Sequence, residues 1–316
     1  MQLADRFLSY ASAAAAEGSP LSADQAAGIA ADPDALAVVE RAPEARRQPV
    51  LVLAVCRWLG APLEPWPRLR SWFLDHADAV VAELGRRSVQ TNDVRRSAPV
   101  SLALGHVTGP VALLEVGASA GLCLLPDLVS YRGGGARWGS AADELVVEVD
   151  VVGEVGEVTV PQVAWRAGLD LDPLDVRDDR DVAWLETLLP PGPTERRDLL
   201  RRAVALARTA PPRVVRGDAV DDLERLAAEA PAGTRLVVVS TGTLVYLPGR
   251  RRQRFVDTVR DLGAAWISYE RVGLLDDVGA VDPAVVAEAD AFAVLALDGR
   301  PLAVGDAHGT RLTMLP

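Results

Sequence analysis

The stretch Val111–Leu125, VALLEVGASAGLCLL, decides the fold. Four apolar residues run into Glu115, then Gly117, Ser119 and Gly121 follow at alternate positions before a second apolar run. This reads as a buried strand, a tight turn and a helix beginning near Ser119 or Ala120, whose free N–H groups would face a ligand. Glycines at 117 and 121 let the backbone turn and approach that ligand closely. A dinucleotide loop, G-x-G-x-x-G counted from Gly117, needs a small residue at 122, where this chain has Leu122. No lysine follows the loop, so a nucleotide-triphosphate P-loop is excluded.

Outward from this segment the texture differs on the two sides. Residues 1–105 carry helical patterns, such as LADRFLSYASAAAA with Leu3, Phe7, Leu8 and Ala11 on one face, and SADQAAGIAAD, where Ser22 and Gln25 have capping-box spacing. From residue 106 to the end, apolar strands alternate with helices, which predicts a doubly wound, mostly parallel α/β sheet. The segments DELVVEVDVV and GEVTVPQVAW read as a β-hairpin inserted near 143–165. The chain end, around Asp298-Gly299, reads as an antiparallel hairpin. The expected organisation is therefore a helical domain, 1–105, and an α/β domain, 106–316.

Composition narrows the function. The net charge of −11 argues against non-specific binding to nucleic acid or anionic membranes. All 33 basic residues other than histidine are arginine. Two cysteines, Cys56 and Cys123, have no CxxC partner, and the three histidines, His76, His106 and His308, are scattered, so no metal site is expected. The N-terminus has no signal-peptide core and no apolar run approaches a membrane span of about 20 residues, so a cytoplasmic location is expected.

The pattern E-x-G-x-S-x-G at Glu115, Gly117, Ser119 and Gly121 resembles the first motif of S-adenosylmethionine-dependent methyltransferases. Two later strand ends extend the resemblance. AWRAGLDLDPLDV ends a strand in Asp170 and Asp172, either of which could accept both ribose hydroxyls, and VVRGDAV ends the next in Asp218, suited to the adenine amine. Singly, each acid reads first as a cap or turn residue, and it is the ordered set that favours a nucleoside site. Asp170 lies 170 − 115 = 55 positions after Glu115, against about 20 for a common ribose-binding acid, which the expected 143–165 insertion would explain. Thr241, in STGTLVYLP after a fourth apolar strand, completes the set of cofactor-binding candidates.

Together RSVQTNDVRR, LLEVGASAGLCLLPDLVSYRGG, AWRAGLDLDPLDV, GDAV and LVYLP resemble the bacterial family known as domain of unknown function 2332. That resemblance covers most of the chain and implies a Rossmann-like methyltransferase fold, S-adenosylmethionine as cofactor and no assigned reaction. Cys123 stands where the family pattern has Asn, and Ser240 where it tends to have His.

The candidate catalytic groups are Gln90 and Asn92 in VQTND, Tyr246 in LVYLP, and His308 in GDAHGTR. Methyl transfer to a small molecule is the leading expectation. A serine hydrolase competes, because G-A-S-A-G also fits the nucleophile elbow, with Ser119 as nucleophile and Asp276 or Asp282 with His308 downstream. The absence of an expected strand before Val111 weighs against it. A non-catalytic nucleoside-binding protein of the same fold is the third alternative.

Overall fold

The computed structural model describes residues 2–192 and 194–316. Among the described residues seven α-helices precede the first strand: α1 Leu3–Ala16, α2 Pro20–Ala30, α3 Pro33–Glu40, α4 Pro49–Trp58, α5 Trp66–Asp75, α6 Ala77–Arg86 and α7 Ser97–Leu104. Proline sits in the first turn of α2, α3, α4 and α5, where its missing N–H costs nothing and its fixed φ suits the helix. Pro20 therefore starts α2 two residues before Ser22. Ser22 and Gln25 are buried inside that helix, and the Gln25 amide donates to Glu64 O at 2.8 Å instead of boxing a terminus.

The chain forms two compact units, Met1–Thr91 with Asp178–Leu200, and Asn92–Arg177 with Arg201–Pro316. The first is helical, with α1–α6 joined by α8 (Asp179–Leu188). Its core buries Phe7, Ile29, Leu51, Leu53, Phe73, Leu84 and Trp184. The Arg87 guanidinium lies 4.1 Å from the Trp58 ring centre and 4.2 Å from that of Trp184, a cation–π stack within this unit.

The second unit is built on a mixed sheet. Its strands are β1 Val111–Val116, β5 Asp150–Val152, β6 Val163–Asp170, β7 Arg213–Arg216, β8 Arg235–Thr241, β9 Ala265–Arg271, β10 Ala293–Leu297, β11 Arg300–Gly305 and β12 Arg311–Met314, in the order β5-β12-β11-β10-β9-β8-β1-β6-β7. β7, β6, β1, β8 and β9 are mutually parallel, whereas β10, β11 and β12 are joined antiparallel. All six residues of β1 are buried, as its unbroken apolar run requires of a central parallel strand. Helices α9 (Glu195–Thr209), α10 (Leu223–Ala227), α11 (Gly249–Asp261) and α12 (Pro283–Glu288) lie in the later connections. Leu223 and Leu226 of α10 and Phe255, Val256 and Val259 of α11 bury against Leu114, Val116, Val238 and Trp266 of the sheet. Side chains alternate between faces, so Glu115 projects from the face opposite Leu114 and Val116.

Two expectations are corrected. No helix follows the glycine loop: a single 3₁₀ turn, Leu122–Leu124, replaces it. Pro126 offers no N–H to a helix, and Arg166 occupies the Leu124 carbonyl (2.8 Å) while pairing with both oxygens of Asp127 (2.8 Å each). The hairpin near 143–165 does not form either. β4 (Val146–Glu148) pairs with β2 (Ser130–Gly133) in a small sheet completed by β3 (Ala136–Gly139), while β5 joins β12 at the edge of the large sheet and β6 joins β1. The alternating patterns are real strands, but each finds a partner far away in sequence.

Candidate functional site

β1 is flanked by β6 and β8, both parallel to it and both later in the chain, so the strand order reverses at β1. Ligands of open α/β sheets bind beyond the carboxyl ends of the strands at such a point. The loop leaving β1 is held by its own hydrogen bonds: the N–H groups of Gly117 and Ala118 both donate to Leu169 O (2.8 and 3.1 Å), and Gly121 N–H donates to Ala118 O (2.7 Å). Asp170, ending β6, accepts from Ser119 N–H through Oδ2 and from Asp172 N–H through Oδ1, each at 2.8 Å. Gly117, Ser119 and Gly121 have left-handed φ of 71°, 54° and 74°. For Ser119 that conformation is rare and is kept only because the surrounding bonds fix it.

The glycines do not leave room for a ligand in the way the sequence suggests. A Cβ on Gly117 would fall 2.2 Å from Thr243 Oγ1, and one on Gly121 would fall 2.7 Å from the Pro212 ring. Both glycines are required by the chain's own packing.

Glu115 is buried, 2% exposed, and its Oε2 has no hydrogen-bond partner. Thr241 Oγ1 donates to its other oxygen at 3.5 Å. Burial raises its pKa to about 8, with the positive charge of Arg96 opposing the shift and the negative charge of Asp170 adding to it. A second acid repeats the pattern. Glu270, near the end of β9, receives the N–H groups of Thr243 and Leu244 on Oε1 at 3.0 Å each, while Oε2 is buried and unpartnered. Burial raises its pKa to about 7, with those N–H groups and Arg96 pulling against it. Thr243 links the two acids, since its hydroxyl donates to Val116 O at 3.1 Å. Arg96 acts on both acids electrostatically. Arg96 and Glu270 are absent from the expected set, although Glu270 carries the same signal as Glu115, an acid near the end of an apolar strand.

The remaining candidates divide. Asn92 accepts the Leu122 N–H at 2.8 Å, and the Cys123 thiol donates to Asp93 O at 3.3 Å, so the NDVRR segment is stitched to the glycine loop. Cys123 is buried and its thiol pKa is pushed well up by burial, so it is no nucleophile. Gln90 is buried in the first unit. Asp172 pairs with Arg216 at 2.8 Å on the exposed rim. Asp218 accepts from Val220 N–H (2.8 Å), Asp221 N–H (3.2 Å) and the Arg251 guanidinium (2.5 Å). Its burial alone would raise its pKa, but these donors hold it below the usual carboxylate value. Tyr246 is 63% exposed and lies within electrostatic range of Arg96 and Glu270. Ser240 is buried and accepts from Trp266 Nε1 at 3.3 Å. His308 Nδ1 is 3.7 Å from Asp93 Oδ2, whereas Asp282 caps α12 by accepting Ala284 N–H at 2.8 Å. Among the described residues no helix is long and apolar enough to cross a membrane, and no group of three or more His, Cys, Asp or Glu could hold a metal ion.

The chain is thus a mixed α/β protein whose candidate site is a glycine loop and two buried acids beside the carboxyl ends of parallel strands. It belongs to the bacterial family described as "Uncharacterized protein conserved in bacteria (DUF2332)", whose sequence model matches residues 4–313. No curated protein matches it in sequence.

Proposed function

We propose that this protein is an S-adenosylmethionine-dependent methyltransferase acting on a small molecule. The observation that carries the reading is Glu115, a buried carboxylate with one unpartnered oxygen, beside a left-handed glycine loop at the reversal of five parallel strands. Numbered among themselves, those strands run 3-2-1-4-5, the order of a doubly wound nucleoside-binding sheet. An unpartnered carboxylate in a dry site calls for a cationic donor, and the ammonium of the cofactor's methionine end supplies one. Asp170 spends one lone pair of each oxygen on its own loop and keeps others for ribose hydroxyls. Asp218 fits less well, because three donors already hold it.

The bound cofactor supplies a methyl group on a sulfonium. The chain's part is to position an acceptor against it and to exclude water. Glu270 also borders a cavity of about 230 Å³ lined by Arg271, Val272, Leu275, Val278, Val281 and Val294, a size that suits a small acceptor.

Ser119 in its left-handed conformation is what favours the hydrolase alternative. The test is thermal unfolding of the wild type with S-adenosylmethionine or NAD, together with fluorophosphonate labelling. The methyltransferase reading expects a rise in midpoint with S-adenosylmethionine alone and no labelling. Stoichiometric labelling of Ser119 overturns it.

A further inference from the structure

Arg96 is a half-buried arginine with almost nothing to do in the fold. Its one hydrogen bond among the described residues runs from Nε to Ala307 O at 3.3 Å, and it forms no ion pair. Yet its charge acts on Glu115 and Glu270, each with a buried, unpartnered oxygen. Where arginine serves only to neutralise an acid in this unit, the pair closes, as Arg166 and Asp127 do at 2.8 Å. Arg96 stops short of both acids. Its terminal nitrogens lie 3.6 and 3.9 Å from the point where a Cβ of Gly242 would stand, and Gly242 has none. Thr241 and Thr243, the two neighbours of Gly242, bond Glu115 and Glu270, so a cation with unused donors lies beside two buried acids with unused oxygens.

A zwitterion completes such an arrangement, with its carboxylate on the guanidinium and its ammonium on the carboxylate. We infer that Arg96 anchors the carboxylate of an α-amino-acid group whose ammonium is held by Glu115. The inference rests on the methyltransferase reading, and it makes the amino-acid end of the ligand the part this site selects. Arg95 does not share the role, because its guanidinium is held by Asp93.

The experiment compares two probes by calorimetry on the full chain: S-adenosylhomocysteine, and 5′-methylthioadenosine, which has the same nucleoside and thioether without the amino-acid end. Wild type should prefer S-adenosylhomocysteine. Arg96→Met should weaken it by about ten- to a hundredfold, the range for a lost charged hydrogen bond, and leave 5′-methylthioadenosine unchanged. Unchanged binding of the second probe also shows that the variant is folded, and Arg96→Lys should recover part of the preference. If both probes bind wild type but the variant keeps the preference, or weakens both equally, the anchor is refuted while the methyltransferase reading stands. If neither probe binds wild type, that reading falls and the anchor with it.

Discussion

Glu115→Gln should change how stability depends on pH. In the unfolded chain Glu115 has its ordinary pKa of 4.5, and in the fold it is raised to about 8. The folded state therefore holds a proton that the unfolded state releases. Its stability is greatest below pH 4.5 and falls as pH rises toward 8, at up to about 1.4 kcal/mol per pH unit. Between pH 5.5 and 7.5 this one group costs the wild type about 2 to 3 kcal/mol by the same linkage. Glutamine keeps the shape and cannot ionise. Whatever constant offset its amide introduces, the variant should lose less stability than the wild type over that interval, by about that amount. Urea denaturation of both proteins at the two pH values measures the difference directly. Parallel pH dependence in the two proteins would refute the account of Glu115 as a buried acid held neutral.

The other predictions concern the loop. Gly117→Ala should destabilise by at least about 1 kcal/mol, since φ is positive and the new Cβ would meet Thr243 Oγ1, and thermal unfolding without ligand reads it. Asn92→Ala leaves the buried Leu122 N–H without its partner and should cost about 1–3 kcal/mol in the same assay, and an unchanged melt would remove Asn92 from the support of the loop. Ser119→Ala should keep S-adenosylmethionine affinity within about tenfold by calorimetry, because at most one neutral hydrogen bond is lost, and loss of all activity with retained folding would instead favour a nucleophilic serine.

The central strand was legible because a parallel strand buried on both faces must be apolar along its length, and VALLEV is interrupted only by its acid. The helices before Val111 were legible from their apolar spacing. The 3₁₀ turn after Gly121 was not, because LCLLPDL has helical composition and only Arg166, 39 residues after Asp127, holds it in another shape. The pairing of β4 and β5 with distant strands was hidden for the same reason, since alternation marks a strand but not its neighbour. At the site, Glu115 stood out as an acid in an apolar run, and Glu270 offered the same contrast in AWISYER. Arg96 carried no local signal, being one arginine of many, and its meaning comes from the two acids that β1 and β9 bring near it.

The most direct test of the central claim is calorimetric titration of the wild type with S-adenosylmethionine at pH 7, repeated in buffers of different ionisation enthalpy. At that pH most Glu115 side chains are protonated, given a pKa of about 8, and an ammonium placed against the carboxylate ionises it. The account predicts saturable one-to-one binding with release of about one proton, and loss of that proton release in Glu115→Gln. Absence of saturable binding to the folded wild-type protein would contradict it.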